Sequence, residues 1–272
     1  MSSAHAYAKI NLALVVGPLR PDSKHEVVTV LQRVDLYDDV DVESADGLAV
    51  EGFPQDTLVR AALEALAKAA GVPAAWRARV EKRIPVAAGL GGGSADAAAV
   101  LELANALLPE PLQPAELDEV ASRIGADVPF FLRDGPQLAT GDGSELAPLE
   151  LPHEYVVLVV LPDRETKEST EAVYRSFDER AGAEGFEERR RAFLDALARV
   201  RQSHDLAGLP RNDLASSPLA AGLEGLGAFR ADVTGAGPSV YGLFQRYEDA
   251  EHAATTLGDA GRTWLVRPVP MR

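Results

Sequence analysis

Four glycines in five positions, Gly89, Gly91, Gly92 and Gly93 around Leu90, constrain this chain more than any other stretch. They are entered from Arg79-Val80-Glu81-Lys82-Arg83-Ile84, which alternates as a strand does, and left through an alanine-rich run over residues 95–108. The expected order is strand, tight backbone loop, helix. Glycine admits positive φ and lets backbone N–H groups approach a ligand with no Cβ in the way. The following helix aims its unpaired N–H groups and positive dipole end at the same spot. A loop of this kind suits a phosphate. The alternative is a flexible loop with Ser94 as the helix N-cap, a common role for serine.

Two better-known nucleotide loops are excluded. The P-loop requires Lys after its last glycine, where Ser94 stands here, and a dinucleotide fingerprint begun at Gly89 requires Gly or Ala at the position of Ser94. A net charge of −15 repels nucleic acid and anionic membranes, so neither is an expected partner. It repels nucleotides too. Attraction to a polyphosphate therefore has to be local, from backbone N–H groups, a helix end, a few Lys or Arg, and Mg²⁺. The chain has no cysteine, which excludes disulfides, thiolate metal sites and a Cys nucleophile and fits a reducing compartment. With no secretory signal and no run of roughly 18 apolar residues evident, a cytoplasmic location is expected.

At 272 residues the chain has the length for two modest domains. Residues 6–16 alternate as a strand, with Lys9 and Asn11 on one face. An ammonium on a mostly apolar strand calls for an anionic partner; otherwise Lys9 snorkels from an edge strand. A turn over residues 17–23 leads past Lys24 and His25 to a strand over 27–31 that continues strand-like over 34–42, the acids of the latter reading as a solvated face. Residues 56–70 have the spacing of an amphipathic helix, stopped by Gly71 and Pro73, and a further helix runs from Pro114 to Ile124. Asp127 then lies in an apolar run, Val128-Pro129-Phe130-Phe131, where an ordinary Asp-x-Pro turn is the alternative to a functional acid. Residues 135–146 read as a hairpin. A domain boundary is expected near Pro148 and Pro152, giving domains 1–150 and 151–272. The second half reads as a buried strand over 155–161, a charged helix over 187–201, a helical stretch from Arg211, a strand, small-residue loop and strand over 231–244, and a closing helix and strand.

Three blocks, residues 8–14, 85–99 and 233–244, resemble in order and spacing the three motifs of the GHMP kinase superfamily. Within it the chain most resembles the diphosphocytidyl methylerythritol kinases, through Ala8-Lys9-Ile10-Asn11-Leu12, Asp22-Ser23-Lys24-His25-Glu26, the glycine loop, Gly125-Ala126-Asp127-Val128-Pro129 and Asn212-Asp213-Leu214. The resemblance covers nearly the whole chain. It implies a two-domain α/β (α+β) fold with the active site in the interdomain cleft, and transfer of the γ-phosphoryl group of ATP to a hydroxyl on the methylerythritol part. It also implies roles. Asp127 would be the base with Lys9 beside it; Lys82, Pro85, Gly89, Leu90, Gly91, Gly92, Gly93 and Ser94 would hold ATP, Ser94 also touching Mg²⁺. Asn11, Lys24, His25, Thr170, Tyr174, Gly235 and Gly237 would line the substrate.

Elementary chemistry agrees, because phosphoryl transfer asks mainly for positioning and charge neutralisation. The chain departs from the subfamily pattern at Ser23-Lys24, where Gly-Tyr is usual, at Thr57, where Asn is expected near adenine, at Tyr7, where Pro is common, and around Thr170, where prolines are usual. A superfamily kinase acting on another small alcohol, of the homoserine or mevalonate type, and a non-catalytic nucleotide-binding relative are the alternative readings.

Overall fold

The computed structural model describes residues 2–53, 57–163 and 169–271, so Asp56 of the expected helix and Glu168 beside the Thr170 block lie outside the described residues. In chain order the elements are β1 (Ser2–Leu19), β2 (His25–Ser44), β3 (Ala49–Glu51), α1 (Thr57–Ala70), β4 (Trp76–Glu81), α2 (Gly92–Asn105), α3 (Pro114–Ile124), α4 (Val128–Phe131), β5 (Gln137–Thr140), β6 (Glu145–Pro148), β7 (Val156–Pro162), α5 (Thr170–Glu179), α6 (Phe186–Leu197), a 3₁₀ turn (Ser203–Gly208), α7 (Pro218–Gly225), β8 (Arg230–Val233), β9 (Val240–Phe244), α8 (Tyr247–Thr256) and β10 (Gly261–Val266). Among the described residues the fold is mixed α/β with two sheets.

The chain forms two compact units. The first takes the stretch up to Ala8, Leu36–Val86 and Gly91–Asp134, and the second takes Lys9–Asp35, Ala87–Leu90 and Gly135–Arg272. The expected boundary between residues 150 and 151 falls inside the second unit.

In the first unit the far half of β2 pairs antiparallel with β4, which pairs in parallel with β3. The helical core forms against these strands. Helix α1 turns Val59, Ala62, Leu63, Leu66 and Ala67 inward, the stripe that its 3.6-residue period dictates. Helix α2 is buried almost all round, which its run of alanines permits because small side chains let neighbouring helices approach on every side. Helix α3 adds Leu117, Val120 and Ala121, with Gln113 and Glu116 forming a capping box at its start.

In the second unit the near half of β2 pairs with β5, and β5 forms a hairpin with β6. A separate antiparallel sheet has the order β10-β7-β9-β8. Strand β7 is interior to it and reads as continuous valine and leucine, its residues 156–160 all buried. Against this sheet pack Leu223 of α7 and Ala250 and Ala253 of α8, with Val156, Leu158, Val160, Val240 and Phe244 beneath them.

Three local readings need correction. The strand over 27–31 and its strand-like continuation over 34–42 form one strand, β2, because nothing between them interrupts the ladder. Its acids do not all face solvent. Asp38 falls in phase with Leu36, Val40 and Val42 and is fully buried. The stretch from Arg211 is not helical; a helix starts only at Pro218. Residues 211–214 are instead tied down by hydrogen bonds, from Asn212 Nδ2 to the carbonyls of Val233 and Gly235 and from the Asp213 N–H to Leu14 O. Lastly, Ser94 is not an N-cap. Helix α2 begins at Gly92, with Gly91 in the cap position at φ 71°, so Ser94 lies in the first turn.

Candidate active site

Within the second unit residues 9–14, 87–90 and 233–244, the parts of the three motif blocks that belong to it, converge. The N–H of Lys9 on β1 donates to Leu90 O at 2.9 Å, and the N–H of Ser239 donates to Ala88 O at 3.3 Å. Gly89, at φ 80°, lies so close to the β8–β9 loop that a Cβ there would be 2.6 Å from Thr234 O and 2.9 Å from Gly237 O. Glycine is therefore required twice over at this position, by conformation and by space. On β1 the Lys9 side chain is buried at 4% exposure, which removes the snorkelling alternative. Its Nζ donates to Asn11 Oδ1 at 2.7 Å, and Asn11 Nδ2 donates to Thr29 Oγ1 at 2.9 Å. The Cβ direction of Gly235, at φ 58°, meets Gly89 O at 3.5 Å, Asn11 Oδ1 at 3.6 Å and Lys9 Nζ at 3.7 Å.

In the first unit the first turn of α2 carries Gly92, Gly93 and Ser94. The ladder of α2 starts with Ala95 N–H donating to Gly91 O, so the three N–H groups before it lie ahead of the ladder, as a phosphate cradle needs. The Cβ direction of Gly92 does not point outward. It meets Ile84 Cγ2 at 3.0 Å and Lys82 Nζ at 3.3 Å, so this glycine serves the packing of α2 on the end of β4.

Lys82 itself sits between two carboxylates, donating to Asp38 Oδ2 at 2.5 Å and Asp96 Oδ2 at 2.6 Å. Asp38 also accepts from the backbone N–H groups of Arg83 and Ile84, the residues that lead into the loop. Burial is the largest influence on Asp96 and pushes its carboxyl up; Lys82 pulls it back and Asp38 raises it again, leaving it at about 7. Burial opposes the Lys82 ammonium, but Asp96 and Asp38 outweigh it and hold its pKa above the usual lysine range.

Asp127 occupies the N-cap position of the short helix α4 and is half-buried, and its side chain makes no capping hydrogen bond to that helix. In the second unit His25, buried at the start of β2, stacks on Tyr174 of α5 with ring centroids 4.9 Å apart and planes at 23°, and meets Phe177 edge-on at 5.8 Å. Lys24 pairs with Asp142 at 2.5 Å. Burial alone would raise Asp142, but hydrogen bonds from Lys24 and Ser144 hold its carboxyl down at about 2. Thr170 is the exposed first residue of α5, whose N-cap Ser169 accepts from Ala172 N–H. Sequence reasoning passed over Asp38, Asp96, Thr29 and Thr234. The first of these was recoverable from strand parity alone.

Residues 57–135 match the family model of the GHMP kinases N terminal domain. The crystal structure of a mevalonate kinase shares the fold, with a TM-score of 0.76 at 12% identity, covering 99% of this chain and 100% of that one. Fold and motif loops together define a GHMP kinase. The chain is 38% identical over 263 residues to the 4-diphosphocytidyl-2-C-methyl-D-erythritol kinase of Desulfitobacterium hafniense (strain Y51), covering 92% of this chain and 89% of the relative. It is 32% identical to a crystal structure of 4-(cytidine 5'-diphospho)-2C-methyl-D-erythritol kinase, with a TM-score of 0.78 and coverage of 98% and 99%. The chain belongs to the 4-diphosphocytidyl-2-C-methyl-D-erythritol kinase family, phosphotransferases with an alcohol group as acceptor. Kinase membership implies ATP as the phosphoryl donor. Among the described residues no helix is long and apolar enough to cross a membrane.

Proposed function

We propose that the chain transfers the γ-phosphoryl group of ATP to a hydroxyl on the methylerythritol part of 4-diphosphocytidyl-2-C-methyl-D-erythritol. The observation that carries this reading is the convergence, within one compact unit, of Lys9 and Asn11, the Gly89–Leu90 corner and the loop from Thr234 to Ser239. In this reading the loop from Gly89 to Ser94 receives the ATP phosphates through backbone N–H groups, which suits a chain whose net charge is −15. Lys9 supplies positive charge toward the moving phosphoryl group, and Asp127 accepts the proton of the acceptor hydroxyl. His25, Tyr174, Thr170, Gly235 and Gly237 line the acceptor, and Asn11 acts there through its hold on Lys9. Lys82, closed between Asp38 and Asp96, acts on ATP by fixing the loop rather than as a lone cation.

Among the described residues no three His, Asp or Glu side chains converge to hold a metal ion. A magnesium ion in this reading is held chiefly by the phosphates and water, its common mode, with the half-buried Ser94 hydroxyl as the protein ligand. Bound there, it would neutralise phosphate charge. The absence of cysteine fits a cytoplasmic enzyme.

The test is Asp127→Asn. Base catalysis contributes roughly 10²- to 10⁴-fold, so turnover should fall by at least about 100-fold while ATP affinity stays within a few-fold. A variant that keeps near-normal turnover makes Asp127 a turn residue only. A panel with homoserine and mevalonate in place of the cytidine compound tests the acceptor.

A further inference from the structure

Lys9 and Asn11 alternate onto one face of β1, and the hydrogen bonds behind them run in one direction only. Thr29 on β2 is 4% exposed, and its hydroxyl donates its single proton to Ala13 O at 2.7 Å. Its oxygen can then only accept, and it does so from Asn11 Nδ2 at 2.9 Å. With its amide nitrogen committed to Thr29, Asn11 must turn Oδ1 the other way, where Lys9 Nζ meets it at 2.7 Å. The flipped amide would set N–H donors against an ammonium that has donors only and against a hydroxyl whose proton is already spent. Thr234, fully buried, adds to the bias: its Oγ1 accepts from Asn11 N–H at 3.1 Å and lies 3.3 Å from Asn11 Oδ1, to which it donates.

A threonine in the middle of a strand would ordinarily be explained by its β-branch, and valine would serve as well. Here the hydroxyl has a task that valine cannot perform. We propose that Thr29 is a positioning residue for phosphoryl transfer: its hydroxyl selects the orientation of the Asn11 amide, and through that amide it sets where the Lys9 ammonium is held. This rests on the reading of Lys9 as part of the transfer machinery.

Thr29→Val keeps the shape and removes the hydroxyl, whereas Thr29→Ser keeps the hydroxyl and removes the methyl. Loss of one buried hydrogen bond next to a charged group predicts a fall in kcat of about tenfold for Thr29→Val with KM for ATP within about twofold. Thr29→Ser should retain kcat within about threefold of wild type even if its melting temperature drops more, because only orientation depends on the hydroxyl. A structural role would make kcat follow stability in both variants instead. Should Thr29→Val not fold, Thr29→Ser against Thr29→Ala compares the same hydroxyl with the methyl absent from both. Wild-type kcat in the valine variant, or equal losses with and without the hydroxyl, overturns the proposal. Lys9→Met is run alongside. If it keeps full turnover, the reading of Lys9 falls and this inference with it; if it is inactive while Thr29→Val is normal, only the role of Thr29 falls.

Discussion

Replacing Asp96 with asparagine should make the protein relatively more stable as pH rises. With both carboxylates ionised, the cluster of Asp38, Lys82 and Asp96 carries a net negative charge at a place where Asp38 and Asp96 are fully buried. The charged groups facing Asp96 are Lys82 from the end of β4 and Asp38 from β2, while the residues that α1, α3 and α4 bury are apolar. A proton relieves the excess charge, and burial holds it on Asp96 up to about 7 against an ordinary value of 3.8. Between those values the folded chain keeps a proton that the unfolded chain has lost. The stability this group contributes is therefore greatest below the unfolded value, declines as pH rises, and levels off above the folded value. Asparagine mimics the protonated acid at every pH. The slope is about 1.4 kcal/mol per unit near pH 5 and halves by pH 7, so over this window the stability of the variant relative to wild type should rise by about 2 kcal/mol. For a chain of this size that amounts to a relative shift of roughly 4–8 °C in melting temperature. Urea unfolding of both proteins at closely spaced pH values measures it. A difference flat across this window would show that Asp96 is already ionised at pH 5 and that the charge reasoning is wrong.

Gly89→Ala puts a methyl group 2.6 Å from Thr234 O at a φ of 80°, and should cost about 1–3 kcal/mol of stability and most of the activity. Denaturant midpoints equal to wild type would mean that the 87–90 segment moves away without cost. Lys24→Tyr removes the pair with Asp142 and supplies a ring near His25, so KM for the cytidine substrate should fall by up to about tenfold with kcat little changed. A weakening of binding that shrinks as salt rises would assign Lys24 to the substrate diphosphate instead.

The motifs were legible because glycine and strand parity carry strong local signals. Gly89 had to be glycine, and Lys9 and Asn11 had to share a face; the structure adds what they face. Gly92 shows what such reading leaves out: beside any approach of its backbone to a ligand, its missing Cβ makes room for Ile84 and Lys82, a contact set by how α2 packs on the residues after β4. Asp38 was misjudged for a different reason: its neighbours Asp35, Asp39 and Asp41 are exposed or half-buried, and the acidic character of the stretch obscured a residue on the opposite parity. The Arg211 stretch failed because its order comes from hydrogen bonds to Leu14 and Gly235, far away in sequence, and no local periodicity records them.

The long strands β1 and β2 each pass through both compact units, and the glycine run changes unit between Leu90 and Gly91. Neither unit is thus a continuous piece of gene. No single cut, whether by protease or in the laboratory, releases one of them intact, and severing the chain at residue 150 would leave the second unit's strand β2 on one fragment and β7 on the other. A chain built this way cannot exchange either unit in a single recombination event as a modular protein can. Changes to either unit have to arise in place, by substitution.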